Sequence, residues 1–224
     1  MNIIANLAKL KSELPLNIKL VAVSKTKTVK DILEVYNTGH KIFGENKVQE
    51  FVDKYESLPK DIEWHFIGHL QTNKVKFIAP FINLIQGVES LKLLQEINKR
   101  ASQNNKIINC LLQIHIAKED TKFGFDKNEV IKMLNSEEYK SMQNIKITGL
   151  MGMATYTYDD VIIYNEFNEL KNIFDFLKLN FFSDKSEFSE LSMGMSGDYK
   201  IAIKCGSTMI RIGSHIFGDR NYKS

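Results

Sequence analysis

Apolar positions along this chain fall into two alternating rhythms. Eight short runs are apolar on consecutive residues, and so on both faces of an extended strand: KLVAVS at 19–24, KIFG at 41–44, EWHFIG at 63–68, NLIQGV at 83–88, IINCLLQIHI at 107–116, IKITGLMGM at 145–153, ELSMGM at 190–195 and TMIRIG at 208–213. Between them the spacing lengthens to i, i+3, i+4, i+7, as in Val29, Ile32, Leu33 and Tyr36. The same helical period runs through SLKLLQEINKRA, NEVIKMLNSEEYKSM and VIIYNEFNELKNIFDFLKL. Strands without a polar face belong in a parallel sheet covered by helices on its outside. Eight such units predict an α/β fold closed into a single (β/α)8 barrel of the TIM type. A doubly wound open sheet is the competing architecture, but it rarely uses so many evenly spaced units. The N-terminal stretch MNIIANLAKLKSELPL, apolar at helical spacing but broken by Lys9 and Lys11, adds an amphipathic helix and does not read as a signal peptide.

No Gly/Ser-rich or single-sign block interrupts the pattern, so residues 1–224 are expected to form one domain. A hydrophobic content of 43% with 25% charged residues is that of an ordinary globular chain. The 30 basic and 27 acidic residues leave +3, with the basic residues scattered rather than gathered in a stripe, which argues against nucleic-acid binding. Cys110 and Cys205 show no metal-ligand spacing and fit reduced thiols of a cytoplasmic protein. No apolar run approaches the roughly 20 residues of a membrane span.

The chemistry concentrates at the ends of the predicted strands. Side chains alternate along a strand, so Val21, Val23 and Lys25 share a face, and Lys25 ends that series. In a barrel this delivers its ammonium to the C-terminal mouth, where sites of this fold are built. At the same end, Ser196 and Gly197 are expected to open the seventh helix, and Gly213 and Ser214 follow the eighth strand. Their N–H groups and hydroxyls can converge on one anion, and the loops after strands seven and eight commonly hold phosphate in such barrels. A lysine facing a phosphate cradle suits a ligand that is both phosphorylated and a carbonyl compound. Pyridoxal 5'-phosphate meets both conditions, the lysine forming a Schiff base. A phosphosugar aldolase is the alternative, although its lysine would more usually lie on a central strand such as the sixth, where GLMGMAT offers none.

Four separated motifs in order, VAVSKTK, FGENKVQE, WHFIGHLQTNK and LSMGMSGDYKIAIKCGSTMIRIGSHIFG, resemble the pyridoxal phosphate homeostasis protein family over residues 17 to 221. The resemblance implies a barrel similar to the N-terminal domain of alanine racemase. It also implies a protein that binds pyridoxal phosphate and maintains the cellular supply of the cofactor without robust catalysis of its own. By position it makes Lys25 the Schiff-base lysine and Arg211 the partner of the pyridine nitrogen. Ser196, Gly213 and Ser214 become the phosphate binders, and Asn46 lies beside the ring. An arginine stays protonated and so keeps that nitrogen unprotonated, which weakens the ring as an electron sink and favours carriage over carbanion chemistry.

A weak pyridoxal-phosphate-dependent racemase or lyase is the alternative function, set against the absence of a second acid/base domain in the chain. Apo forms of pyridoxal phosphate enzymes are the candidate protein partners, and without racemase-type dimer contacts a monomer is expected. Two positions depart from the family's pattern. Lys47 stands where GENYVQE has tyrosine, and His115 stands where asparagine is frequent late in strand five. His65 and His69 flank FIG, but with no third ligand at suitable spacing they are expected to be hydrogen-bonded core or rim residues rather than metal ligands.

Overall fold

The computed structural model describes residues 2–117 and 123–218. Its eight strands are β1 (Lys19–Val23), β2 (Ile42–Glu45), β3 (Glu63–Phe66), β4 (Leu84–Val88), β5 (Ile108–Gln113), β6 (Ile145–Met151), β7 (Glu190–Ser192) and β8 (Met209–Ile212). They close in sequence order into one barrel. Every pairing is parallel, and β8 returns to β1 with Lys19 opposite Met209 and Val21 opposite Arg211.

Around the strands lie α1 (Ile3–Glu13), α2 (Val29–Tyr36), α3 (Val48–Ser57), α4 (Val75–Ile78), α5 (Leu91–Gln103), α6 (Lys127–Asn135), α7 (Glu137–Lys140), α8 (Asp160–Phe181), α9 (Tyr199–Lys204) and α10 (Ser214–Phe217). Helix starts follow side-chain chemistry. Thr28 and Asp31 form a capping box on α2, and Asp126 and Glu129 form another on α6.

All eight predicted strands are present, because burial on both faces makes most of their positions apolar. Outward-facing residues such as Phe43, Trp64 and Ile85 join a large core with the helices. Inward-facing Val21, Leu84, Leu111, Met151 and Met209 form a second, smaller cluster inside the barrel. At β6, Gly149 lets the β7 backbone approach closely: a Cβ there would lie 1.8 Å from the Glu190 carbonyl oxygen.

The helices depart from expectation in two places. Between β3 and β4 there is a 3-10 turn (Thr72–Lys74) and the single turn of α4, because the apolar stretch runs into Pro80. The predicted helix in NEVIKMLNSEEYKSM breaks at Ser136, whose hydroxyl accepts from the Tyr139 N–H and starts α7. The aromatic run at the end of α8 is covered by Phe188, which stacks on Phe174 and Phe182. Cys110 and Cys205 are buried free thiols. Among the described residues no helix is long and apolar enough to cross a membrane.

Candidate functional site

Every site residue named above lies at the C-terminal ends of β7, β8, β1 and β2, which are consecutive around the closed barrel. Lys25 is half-buried two residues beyond β1, Asn46 follows β2 directly, Arg211 sits within β8, and Ser196 lies in the loop after β7. The ladder that sets Ala22 against Ile212 brings Gly213 beside β1, where a Cβ on Gly213 would lie 3.4 Å from the Val23 carbonyl oxygen. The fold therefore gathers the six residues into one arc of the mouth.

The turn that carries Lys25 is gripped from α3. Ser24 is held to β2 by its N–H on the Gly44 carbonyl (3.0 Å) and by its hydroxyl on Glu45 Oε1 (2.6 Å). Its own carbonyl accepts from the Lys27 N–H (3.0 Å) and from Lys54 Nζ (2.7 Å). On the other side of Lys25, the Thr26 N–H donates to Glu50 Oε1 (2.6 Å). Lys54 Nζ also bridges Glu45 Oε1 (2.7 Å) and Glu50 Oε1 (2.6 Å), so one buried ammonium serves both peptides that flank Lys25. Thr26 has φ +65, a left-handed conformation that a β-branched residue rarely adopts. Glu45 is fully buried, and burial pushes its carboxyl above its ordinary value despite Lys54. Lys27 Nζ donates to the Phe217 and Gly218 carbonyls (3.2 and 3.1 Å), tying this turn to the end of α10.

Arg211 is 4% exposed, and burial brings its guanidinium down to about 10, so it remains charged at neutral pH. Nη1 donates to the Ser192 carbonyl (2.9 Å) and to Ser192 Oγ (2.7 Å), while Nη2 donates to the Gly152 carbonyl (3.0 Å). The Nε–H and the other Nη2–H meet no acceptor among the described residues. Below the arginine, Ser192 Oγ donates to Gln86 Oε1 (2.7 Å), and Gln86 Nε2 lies 3.0 Å from His65 Nδ1. Burial drives the His65 imidazole down to about 3, so it is neutral.

The anion side differs in detail from expectation. Helix α9 begins at Tyr199, so Ser196 and Gly197 do not open it but lie in the turn ahead, where Asp198 Oδ1 accepts the Met195 N–H (2.5 Å). Asp198 is the residue that draws the chain out of helix there, since its carboxylate competes for a backbone N–H. Gly197 faces open space, and Ser214 begins the short helix α10 directly after Gly213. Asn46 is not a helix cap, because Lys47 occupies that position on α3 without a side-chain bond. It backs instead onto Gly68, where a Cβ would lie 2.8 Å from Asn46 Cβ.

Of the two departures, Lys47 is exposed, and His115 lies just beyond β5 with its N–H on the Phe125 carbonyl (3.0 Å). A cavity of about 330 Å3 opens outside this arc, beyond β3 and β4, lined by His69, Gln71, Asn73, Glu89 and Lys92 among others. There His69 Nδ1 pairs with Glu89 Oε1 at 2.6 Å, as a rim histidine should. No group of three or more potential metal ligands exists among the described residues. Gln86, Ser192, Glu45, Glu50 and Lys54 were not singled out from sequence. The available signal was a glutamine and a serine inside otherwise apolar strands.

Comparison with known proteins places nearly the whole chain in a family. Residues 1–221 match the family model described as alanine racemase, N-terminal domain. The pyridoxal phosphate homeostasis protein of Aquifex aeolicus is 39% identical over 205 residues, covering 91% of this chain and 88% of that one. The solved structure of PipY from Synechococcus elongatus superposes with a TM-score of 0.90 without pyridoxal phosphate (30% identity, 97% of this chain and 100% of that chain). The form of PipY with pyridoxal phosphate bound gives 0.86 (32% identity, 96% and 100%). Clostridium difficile alanine racemase, at 16% identity and a TM-score of 0.78, shares the fold over 99% of this chain and 57% of its own.

Proposed function

This chain belongs to the pyridoxal phosphate homeostasis protein family, with a barrel of the alanine racemase N-terminal type, and on that premise we propose that it binds pyridoxal 5'-phosphate as a Schiff base on Lys25 and serves as a carrier or buffer of the cofactor. The observation that carries the reading is the buried Arg211 guanidinium, two of whose N–H groups meet no acceptor among the described residues, one strand away from the lysine turn. A pyridine nitrogen is an acceptor for such groups. The donor set fits the rest of the molecule as well: Gly213, Ser214 and Ser196 offer N–H and hydroxyl groups to a phosphate, and Asn46 offers an amide beside the ring. When bound, the cofactor supplies an aldehyde for the lysine amine and a conjugated ring that withdraws electrons.

The residues of the chain favour holding over turning over. Arg211 remains protonated and can only donate, so the ring nitrogen beside it stays unprotonated and withdraws electrons weakly. Lys25 stands on a turn fixed from both sides, which presents its amine to one place. Release to apo forms of pyridoxal phosphate enzymes would then be the outlet for the bound cofactor.

The test is trapping. Borohydride reduction of the purified protein with pyridoxal phosphate, followed by peptide mapping, should label Lys25, and Lys25→Ala should lose that label together with the visible absorption band. A label of undiminished strength in Lys25→Ala would overturn the assignment of this lysine. Rapid turnover of any member of a panel of free amino acids by the wild type would overturn the carrier reading.

A further inference from the structure

Four strands contribute to a line of polar side chains through the otherwise apolar interior beneath the mouth. It runs from Arg211 on β8 to Ser192 on β7, to Gln86 on β4, and to His65 on β3. All four are buried, with Gln86 and Ser192 at 0% exposure, and they sit among Val21, Leu84, Leu111, Met151 and Met209. A buried polar group that fails to find its partner costs stability, so such a line persists when each member is satisfied.

The direction of every hydrogen bond follows from one end. An arginine has no acceptor, so Ser192 Oγ accepts from Nη1 at 2.7 Å. The amide oxygen of Gln86 faces this hydroxyl and accepts its proton at 2.7 Å. That orients the amide, whose Nε2 donates to His65 Nδ1 at 3.0 Å while touching Met209 Sδ at 3.2 Å. His65 is thereby an acceptor at Nδ1 and carries its proton on Nε2. The histidine agrees with this orientation, since burial holds it neutral. Turning the amide over would put two donors on Ser192 Oγ and take Gln86 away as the acceptor of the serine proton.

We propose that Gln86 and Ser192 are positioning residues for the bound cofactor: they lock the plane of the Arg211 guanidinium so that its Nε–H and remaining Nη2–H point at the pyridine nitrogen. This rests on the reading of the mouth as a pyridoxal phosphate site. Ser192 grips the arginine twice, through its carbonyl and its hydroxyl, and the Gly152 carbonyl holds the second terminal nitrogen. Gln86 touches neither arginine nor ligand. It acts by fixing which way the serine hydroxyl turns, because without an acceptor at Oε1 the hydroxyl is free to rotate its proton toward the guanidinium.

The experiment uses the full chain loaded with pyridoxal phosphate, in wild type, Gln86→Met, Ser192→Ala and Ser192→Thr. The readouts are the visible circular dichroism of the bound cofactor, which reports the tilt of its ring in the site, and the dissociation constant. Gln86→Met and Ser192→Ala should both change the dichroic band and weaken binding by about tenfold, the scale of losing one charge-assisted hydrogen bond. Ser192→Thr, which keeps the hydroxyl, should restore both toward wild type. Borohydride should still label Lys25 in all four, which separates this proposal from the site assignment: an unlabelled wild type sinks the site itself. If the wild type is labelled and both Gln86→Met and Ser192→Ala keep its dichroic band and affinity, the positioning role is wrong. Should Gln86→Met fail to fold, the Ser192→Ala and Ser192→Thr pair decides by the same readouts.

Discussion

The two sides of the barrel mouth are held by opposite means. On the lysine side the support is ionic: Glu45, Lys54 and Glu50 form a cluster in which the lysine is 5% exposed and Glu45 is fully buried. Its grips close to Lys25 fall on backbone atoms, the Ser24 carbonyl and the Thr26 N–H. On the arginine side the line behind Arg211 is neutral, and it grips the side chain itself. The difference fits the roles proposed for the two residues. A group that must form and release a covalent bond needs a fixed base and a side chain that can reach. A group that presents a hydrogen bond needs its terminal atoms fixed. Charge suits the first task, because short charge-assisted bonds can hold a turn in an unfavourable conformation. It would harm the second, because a carboxylate beneath Arg211 would draw the guanidinium away from the ligand.

The largest expected effect breaks the ionic side. Lys54→Met removes the cation that both glutamates share and leaves Glu45, held then by the Ser24 hydroxyl, without a counter-charge in a dry site. Truncating one member of a buried pair costs about 3 to 5 kcal/mol. Removing the Ser192 hydroxyl on the neutral side should cost about 1 to 3 kcal/mol. Urea titration of both variants measures the two losses directly. Equal losses would mean that charge is not what separates the two sides.

The unequal nature of the supports also explains what could be read from the chain. The eight strands, and Lys25 at the end of its alternating series, were legible because burial on both faces leaves a continuous apolar signature. Gly213 and Ser214 were legible as small and polar residues after an apolar run, Arg211 was placed by resemblance, and the barrel register puts Arg211 and Gly213, with Ser214 next in the chain, beside β1. The α3 cluster was hidden because Glu50 and Lys54, four residues apart, look like an ordinary solvated pair on a helix surface. Nothing local says that this pair turns inward against β1. Thr26 was illegible for a different reason: a β-branched residue with positive φ contradicts its own propensity, and the contacts from α3 override it. The start of α9 was misplaced because Ser196 and Gly197 look like a helix opening until Asp198 is seen taking the Met195 N–H.

A second, smaller effect sharpens the comparison through pH. Burial lowers His65 to about 3 and His40 to about 4 from an ordinary 6.5. Above pH 6.5 both histidines are neutral in the folded and unfolded chain, and neither affects stability. As the pH falls below that value, the unfolded chain takes up protons that the folded chain refuses, so stability declines. Each histidine contributes up to about 1.4 kcal/mol per pH unit until the pH reaches its folded value. Going from pH 6.5 to 5, His65 alone should cost about 2 kcal/mol or less. Denaturant titrations at a series of pH values should show this decline, and His65→Gln, which keeps an acceptor for Gln86, should make it shallower. An unchanged slope in that variant would mean that the neutral line is not anchored at His65.

The smallest effect probes the strain on the lysine side. A non-glycine residue in the left-handed region costs about 1 to 2 kcal/mol, while glycine costs about 0.5 to 1 kcal/mol in added freedom of the unfolded chain. Thr26→Gly should therefore raise stability, by up to about 1 kcal/mol, visible as a small rise in melting temperature. If the clamp from Glu50 and Lys54 keeps that strain because it aims Lys25, the relieved variant should be more stable and yet form its Schiff base more slowly. Stopped-flow absorbance after mixing with pyridoxal phosphate would measure that rate. A variant that is more stable and reacts at the wild-type rate would show that the turn's conformation is incidental to the lysine, and would leave the arginine side as the one support tied to the ligand.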